Sequence, residues 1–163
     1  MINIVIMGLD NSGKTTLANS LTELLNENHT CKYVHSLGNV PIEKQLEFLN
    51  YEILEDNNYD YKIFDRFPII EEKIYGPILR NNNRYANLNV EDYWLSNINL
   101  FVFCNPGFDT ISNWGEREQM DGVINNSKIL YEEYLKVYDD LKNKGYNIKT
   151  YNFKIDDYHN LVE

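Results

Sequence analysis

Basic side chains are scarce in this chain, and arginine most of all. The sequence holds 15 Lys and Arg against 25 Asp and Glu, a formal net charge of −10, and its arginines are Arg66, Arg80, Arg84 and Arg117 alone. A surface that acidic repels nucleic-acid phosphates and anionic membranes at long range, so an anionic ligand has to enter a locally positive pocket. Cysteine is also scarce. Cys31 and Cys104 lie far apart and lack metal-ligand spacing, which excludes a disulfide framework or zinc ribbon and leaves two reduced, partly buried thiols. No apolar run approaches a membrane span and no leader-like segment precedes the first apolar stretch. The expectation is a soluble, cytoplasmic protein with no membrane partner. Internal repeats are missing, and low complexity is confined to Asn81-Asn82-Asn83.

What is present suffices for one core. With 163 residues, 43% hydrophobic and 13% aromatic, the chain reads as a single domain over 1–163. The stretch 2–7, INIVIM, is apolar except for Asn3, as a strand buried on both faces of a parallel sheet would be. Residues 8–13 form a turn, and Leu17, Leu21, Leu24 and Leu25 then follow at helical spacing. Further strands are expected at 31–36, 61–66, 98–104 and 146–153. Helices are expected at 41–55 and 68–80, opened by Pro41 and Pro68, at 90–96, and at 123–144, closed by Gly145. This alternation predicts an α/β fold, a three-layer, doubly wound, parallel five-stranded sheet.

The turn after the first strand carries chemistry. In GLDNSGKTTL, Gly8, Gly13, Lys14 and Thr15 satisfy G-x-x-x-x-G-K-[ST] between a predicted strand and a predicted helix. Glycines let backbone N–H groups turn inward on an oxyanion, and the helix start adds its unpaired donors and positive dipole end. Asn11, Ser12 and Thr16 complete the cradle. Lys14 would reach the β- and γ-phosphates and the Thr15 hydroxyl would ligate Mg²⁺, so ATP and Mg²⁺ are the expected cofactors. The guanine-specifying N-K-x-D is missing, since Asn143-Lys144 is followed by Gly145-Tyr146; a small GTPase is disfavoured.

Gly8-x-Asp10-x-x-Gly13-Lys14-Thr15-Thr16 resembles the thymidylate kinase pattern, with an acidic residue third in the loop. Asp65-Arg66-Phe67 resembles that family's D-R-Y/H signature, and GEREQM at 115–120 resembles a shortened form of its arginine-bearing lid, here about 107–122. The resemblance implies a P-loop nucleoside-monophosphate-kinase-like fold. It also implies ATP- and Mg²⁺-dependent transfer of the γ-phosphoryl group to a deoxynucleoside monophosphate, a pyrimidine such as dTMP. By the same resemblance Asp10 would sit near the acceptor sugar and the magnesium water shell. Arg66 would bind the acceptor phosphate and the transferring group, and Arg117 would close over the donor phosphates. Family members often dimerise through helix faces, so a homodimer is implied. Compact virus-encoded kinases are similar, and one relative phosphorylates 5-hydroxymethyluracil in phage DNA. That acceptor, in an infected bacterial host, is the alternative; a nucleotide-binding module without turnover is a third reading.

The remaining candidates have two readings each. Arg80 and Arg84 are either phosphate clamps or surface salt-bridge partners. Asp65 is a magnesium ligand, directly or through water, or only the partner of Arg66. His35 and Ser36 end the second strand at the edge where α/β sheets bind ligands, and either touch substrate or belong to a loop. Phe48 lies where thymidylate kinases place a base-stacking phenylalanine, one position off the Leu46/Leu49 stripe, so it either stacks on a base or packs the core. Tyr75, followed by Gly76-Pro77, resembles the family's aromatic after the Asp-Arg pair.

Overall fold

The computed structural model describes residues 1–113 and 122–163. Strands β1 (Ile2–Met7), β2 (Cys31–His35), β3 (Tyr61–Asp65), β4 (Leu100–Cys104) and β5 (Ile148–Tyr151) form one sheet in the order β2-β3-β1-β4-β5. Every pairing is parallel. Side chains alternate across it. Ile4, Ile6, Ile63, Leu100 and Val102 pack on one face beneath α1 (Lys14–Asn26) and a 3₁₀ turn at Tyr158–Leu161. Val5, Met7, Phe64, Phe101 and Phe103 pack on the other, in a cluster that includes Leu49 and Ile53, Ile70 and Ile74, Trp94, and Leu130 and Tyr134. Those residues come from α2 (Ile42–Leu49) and its continuation, α3 (Pro68–Arg80), α4 (Glu91–Leu95) and α6 (Ser127–Asn143); the short α5 (Phe108–Ile111) adds Ile111. The result is the expected three-layer α/β architecture. Among the described residues no helix is long and apolar enough to cross a membrane.

The second helix departs from the expected 41–55. Its last segment, Asn50–Glu55, is π-helical, with Asp56 N–H bonding back to Tyr51 C=O at 2.8 Å. The cause lies underneath. Lys62 of β3 is fully buried, and its ammonium donates to the Glu52 carbonyl, the acceptor that an α turn would have given to Asp56. Lys62 also pairs with Glu52 and Asp56 at 3.2 Å each, and Lys32 of β2 reaches the same carboxylates at 2.9 and 2.8 Å. Lys32 and Lys62 are cross-strand neighbours; the two carboxylates keep their charges compatible in the interior.

Strand order positions the site. The chain leaves β1 toward β2 on one side and leaves β3, which lies between them, toward β4 on the other, so connections diverge at the C-terminal ends of the adjacent strands β1 and β3. Ligands of open α/β sheets bind in that crevice. Ile6 pairs with Asp65 there, which sets the turn after β1 beside the turn after β3.

Candidate active site

Helix α1 begins at Lys14, directly after Gly13, whose φ of +90° is left-handed backbone that suits glycine. A side chain at Gly13 would also come within 3.0 Å of the Phe153 ring. Asn11, at φ +68°, donates from its amide to the Thr110 and Ile111 carbonyls at 3.2 Å each, tying the loop to α5. Ser12 is buried. Thr15 and Thr16 are exposed at the start of the helix, where the first-turn N–H groups have no partner inside it. Lys14 is only 4% exposed and donates to the Leu9 carbonyl at 2.9 Å, 3.6 Å from Asp10 Oδ1. Burial, then the nearby Arg66 charge, lowers the Lys14 pKa, against the opposing pull of Asp10 and Glu71.

Across the crevice Arg66 sits at φ +75°, a conformation a β-carbon disfavours. Its guanidinium donates through Nη2 to Asp10 Oδ1 and through Nη1 to Glu71 Oε2 at 3.3 Å. Burial works against that charge, but Glu71 and Asp10 hold the Arg66 pKa above its ordinary value. Burial raises the Glu71 pKa, with Arg66, Lys14 and a 3.0 Å bond from the Tyr134 hydroxyl opposing. Tyr134 in turn lies 3.3 Å from the hydroxyl of buried Tyr75. Burial pushes both phenols upward, so both stay neutral, with Tyr134 donating to Glu71.

Asp65 does not pair with Arg66. Its Oδ2 accepts from Thr15 Oγ1 at 2.8 Å and from the Tyr33 hydroxyl at 2.5 Å, while Oδ1 is buried with no hydrogen-bond partner among the described residues. A buried carboxylate oxygen without a donor, on a side chain that already holds the Thr15 hydroxyl, fits a divalent cation such as Mg²⁺. Thr15 and Asp65 would hold it.

Of these groups Asp10, Thr15, Asp65, Arg66, Glu71 and Tyr75 line a cavity of about 330 Å³. Of the residues expected at the acceptor, Asp10, His35, Arg66, Tyr75, Arg80 and Arg84 border it, with Ser36. Phe48 does not; it is partly buried against the core. The helix turns Gln45 inward instead, 3% exposed, its Oε1 accepting from Tyr85 at 2.6 Å and its Nε2 donating to Val40 O at 3.0 Å. Arg117 lies outside the described residues, as does 114–121 of the expected lid at 107–122.

Arg80 and Arg84 are organised by Glu72, a carboxylate 2% exposed on α3. It accepts from Arg80 Nη2 at 2.7 Å and from Arg84 Nε, Nη2 and backbone N at 3.0, 2.9 and 3.1 Å. Burial alone would raise the Glu72 pKa, but these bonds bring it below its ordinary value. Gly76 makes this possible: a β-carbon there would meet the Asn82 carbonyl at 2.3 Å, so only glycine lets the Asn82 loop fold back and deliver Arg84. Sequence reasoning missed Glu71, Glu72, Tyr33 and Gln45. The available signal was the acidic pair in the first helical turn after Asp65-Arg66, a place where carboxylates are also common for helix-dipole reasons.

No family model matches the chain. It is similar to UDP-N-acetylmuramate–L-alanine ligase of Wigglesworthia glossinidia brevipalpis, 28% identical over 131 residues, 68% of this chain but 27% of that protein's length. Among solved structures it resembles the YorR protein of Bacillus subtilis, in complex with phosphorylated GDP, at TM-score 0.69 and 19% identity over 96% of this chain and 89% of that one. Deoxyadenosine kinase of M. mycoides with bound dCTP aligns at TM-score 0.61 and 15% identity, covering 98% and 95%. Thymidylate kinase of Candida albicans aligns at 0.59 and 20%, covering 91% and 83%. At these identities the likeness is one of fold, and that fold is the P-loop nucleotide kinase fold.

Proposed function

We propose that this protein is an ATP- and Mg²⁺-dependent kinase that transfers the γ-phosphoryl group to a deoxynucleoside monophosphate, a pyrimidine such as dTMP. One observation carries the reading: Lys14 of the phosphate cradle and Arg66 of the β3 end converge on one carboxylate, Asp10, beside a cavity of about 330 Å³. That volume falls at the small end of ligand pockets, roughly 300–1,000 Å³, enough for one nucleoside-sized ligand.

In this reading the cradle amides and Lys14 bind the donor phosphates, and Mg²⁺ held by Thr15 and Asp65 would neutralise part of their charge. An acceptor phosphate oxygen bonds to the γ-phosphorus as the bond to the β,γ-bridging oxygen breaks, releasing ADP. A phosphate acceptor is largely ionised near neutral pH, so no strong base is required. Arg66 binds the acceptor phosphate and the transferring group, and the charge it supplies is the main contribution of this side of the site. Arg80 and Arg84 extend the positive wall. Asp10 orients Arg66 and borders the acceptor sugar. The inward amide edge of Gln45 keeps one donor and one acceptor for a base.

A hydroxymethyluracil in DNA suits this wall less well. Strand binding needs a basic groove, whereas Arg80 and Arg84 are turned onto Glu72. An unphosphorylated deoxynucleoside is the stronger second reading, because Asp10 and Glu71 flank Arg66 and offset its charge toward a dianion. A carboxylate there would take the proton of an alcohol acceptor.

The test is an acceptor screen with γ-labelled ATP against deoxynucleoside monophosphates, deoxynucleosides and hydroxymethyluracil DNA, with Lys14→Ala as control. Transfer to a pyrimidine monophosphate, lost in the control, is expected. Protein that binds ATP but labels none of these acceptors refutes kinase activity and leaves the non-catalytic module.

A further inference from the structure

We infer that Tyr33 is a positioning residue for the divalent cation: its hydroxyl occupies Asp65 Oδ2 and so leaves Oδ1 as the oxygen offered to the metal. The inference rests on reading Thr15 and Asp65 as the cation site, and on three observations. Tyr33 is two residues before His35 on β2, and His35 is the register partner of Asp65. A phenol two residues back on the same strand face has the length to reach that carboxylate, and its oxygen lies 2.5 Å from Oδ2. Thr15 Oγ1 donates to the same oxygen at 2.8 Å, so both donors crowd Oδ2 and none among the described residues reaches Oδ1. The Tyr33 ring is held in turn, partly buried against the α1-side core and stacked on His35 at 6.1 Å between centroids.

Two consequences follow from ordinary carboxylate chemistry. An oxygen that already accepts two hydrogen bonds is a poor metal ligand, so the cation meets Asp65 through one oxygen rather than astride both. Fixing the carboxylate rotamer beforehand also removes part of the ordering cost of metal binding, which is how residues behind metal ligands raise affinity. Without the phenol the Asp65 carboxylate is free to turn, and its bare oxygen can take Thr15 as a partner.

The experiment measures ATP affinity by calorimetry in EDTA and again in excess MgCl₂, for wild type, Tyr33→Phe and Asp65→Asn. The ratio of the two Kd values reports what the protein gains from the metal, independently of turnover. Tyr33→Phe keeps the ring, and its Tm verifies folding. The expected result is an unchanged Kd in EDTA and a Mg²⁺ gain reduced about tenfold, the low end for residues supporting metal ligands. Asp65→Asn should lose the gain more completely. A wild-type gain in Tyr33→Phe, alongside its loss in Asp65→Asn, overturns the role of Tyr33 and leaves the cation site standing. An equal Mg²⁺ gain in wild type and Asp65→Asn overturns both.

Discussion

Replacing Glu72 by glutamine isolates the arginine wall of the cavity. The substitution keeps shape and one acceptor oxygen but removes the charge that two guanidiniums share. Glu72 is 2% exposed and accepts three side-chain bonds from Arg80 and Arg84 at 2.7, 3.0 and 2.9 Å. Taking one partner from a buried ion pair costs about 3–5 kcal/mol. Here the arginine side chains remain 29% and 26% exposed, so water screens part of the loss and the lower end, about 3 kcal/mol, applies. For a chain of this length that is a fall in Tm of roughly 6–12 °C. The pH dependence supplies a second signature. Because the folded-state pKa of Glu72 lies below its ordinary 4.5, its contribution is present above that value and is lost as pH falls through the folded pKa. The gap between wild type and Glu72→Gln should therefore be widest near neutrality and close in acid. Kinetically, Arg80 and Arg84 lose their anchor, so KM for the acceptor should rise while KM for ATP stays. Calorimetric unfolding from acid to neutral pH, with steady-state kinetics, reads all of this. A Tm within about 2 °C of wild type at neutral pH, or a gap that widens in acid, refutes the assignment of Glu72 as the charged anchor.

Arg66→Gly should stay folded, because glycine accepts φ +75° without strain, yet kcat should fall on the order of a hundredfold or more; unchanged kcat removes Arg66 from the site. Glu71→Gln should lower KM for a monophosphate acceptor roughly fivefold, the effect of about 1 kcal/mol of screened repulsion, and leave KM for a deoxynucleoside unchanged. Since the folded-state Glu71 pKa is raised, wild-type stability from this group is complete below its ordinary 4.5 and declines as pH rises through the folded value. The glutamine variant should lack that decline in pH-dependent unfolding. Lys62→Met, 0% exposed and remote from the cavity, should cost on the order of 3 kcal/mol in denaturant unfolding without altering either KM. A kinetic defect would contradict its purely structural place beneath the π turn.

The sequence by itself determined the parts whose cause is local. Apolar stretches at 2–7 and 98–104 had to be strands buried on both faces, and Pro68 had to open a helix. The spacing of Gly8, Gly13, Lys14 and Thr15 is legible because one short turn contains the whole device. Tertiary structure decided the pairings. Asp65 and Arg66 are neighbours in sequence yet face different partners, Thr15 with Tyr33 and Asp10 with Glu71, because the chain leaves β3 after Asp65 and turns at Arg66 with φ +75°. Gln45 and Phe48 stand three positions apart on one flank of the Leu46/Leu49 stripe, so the stripe alone does not resolve which of them meets the cavity. The π turn over Lys62 needed two strands and a helix to meet. Periodicity is written residue by residue, whereas the choice of charge partner depends on strand order and burial, which exist only once the chain has closed on itself.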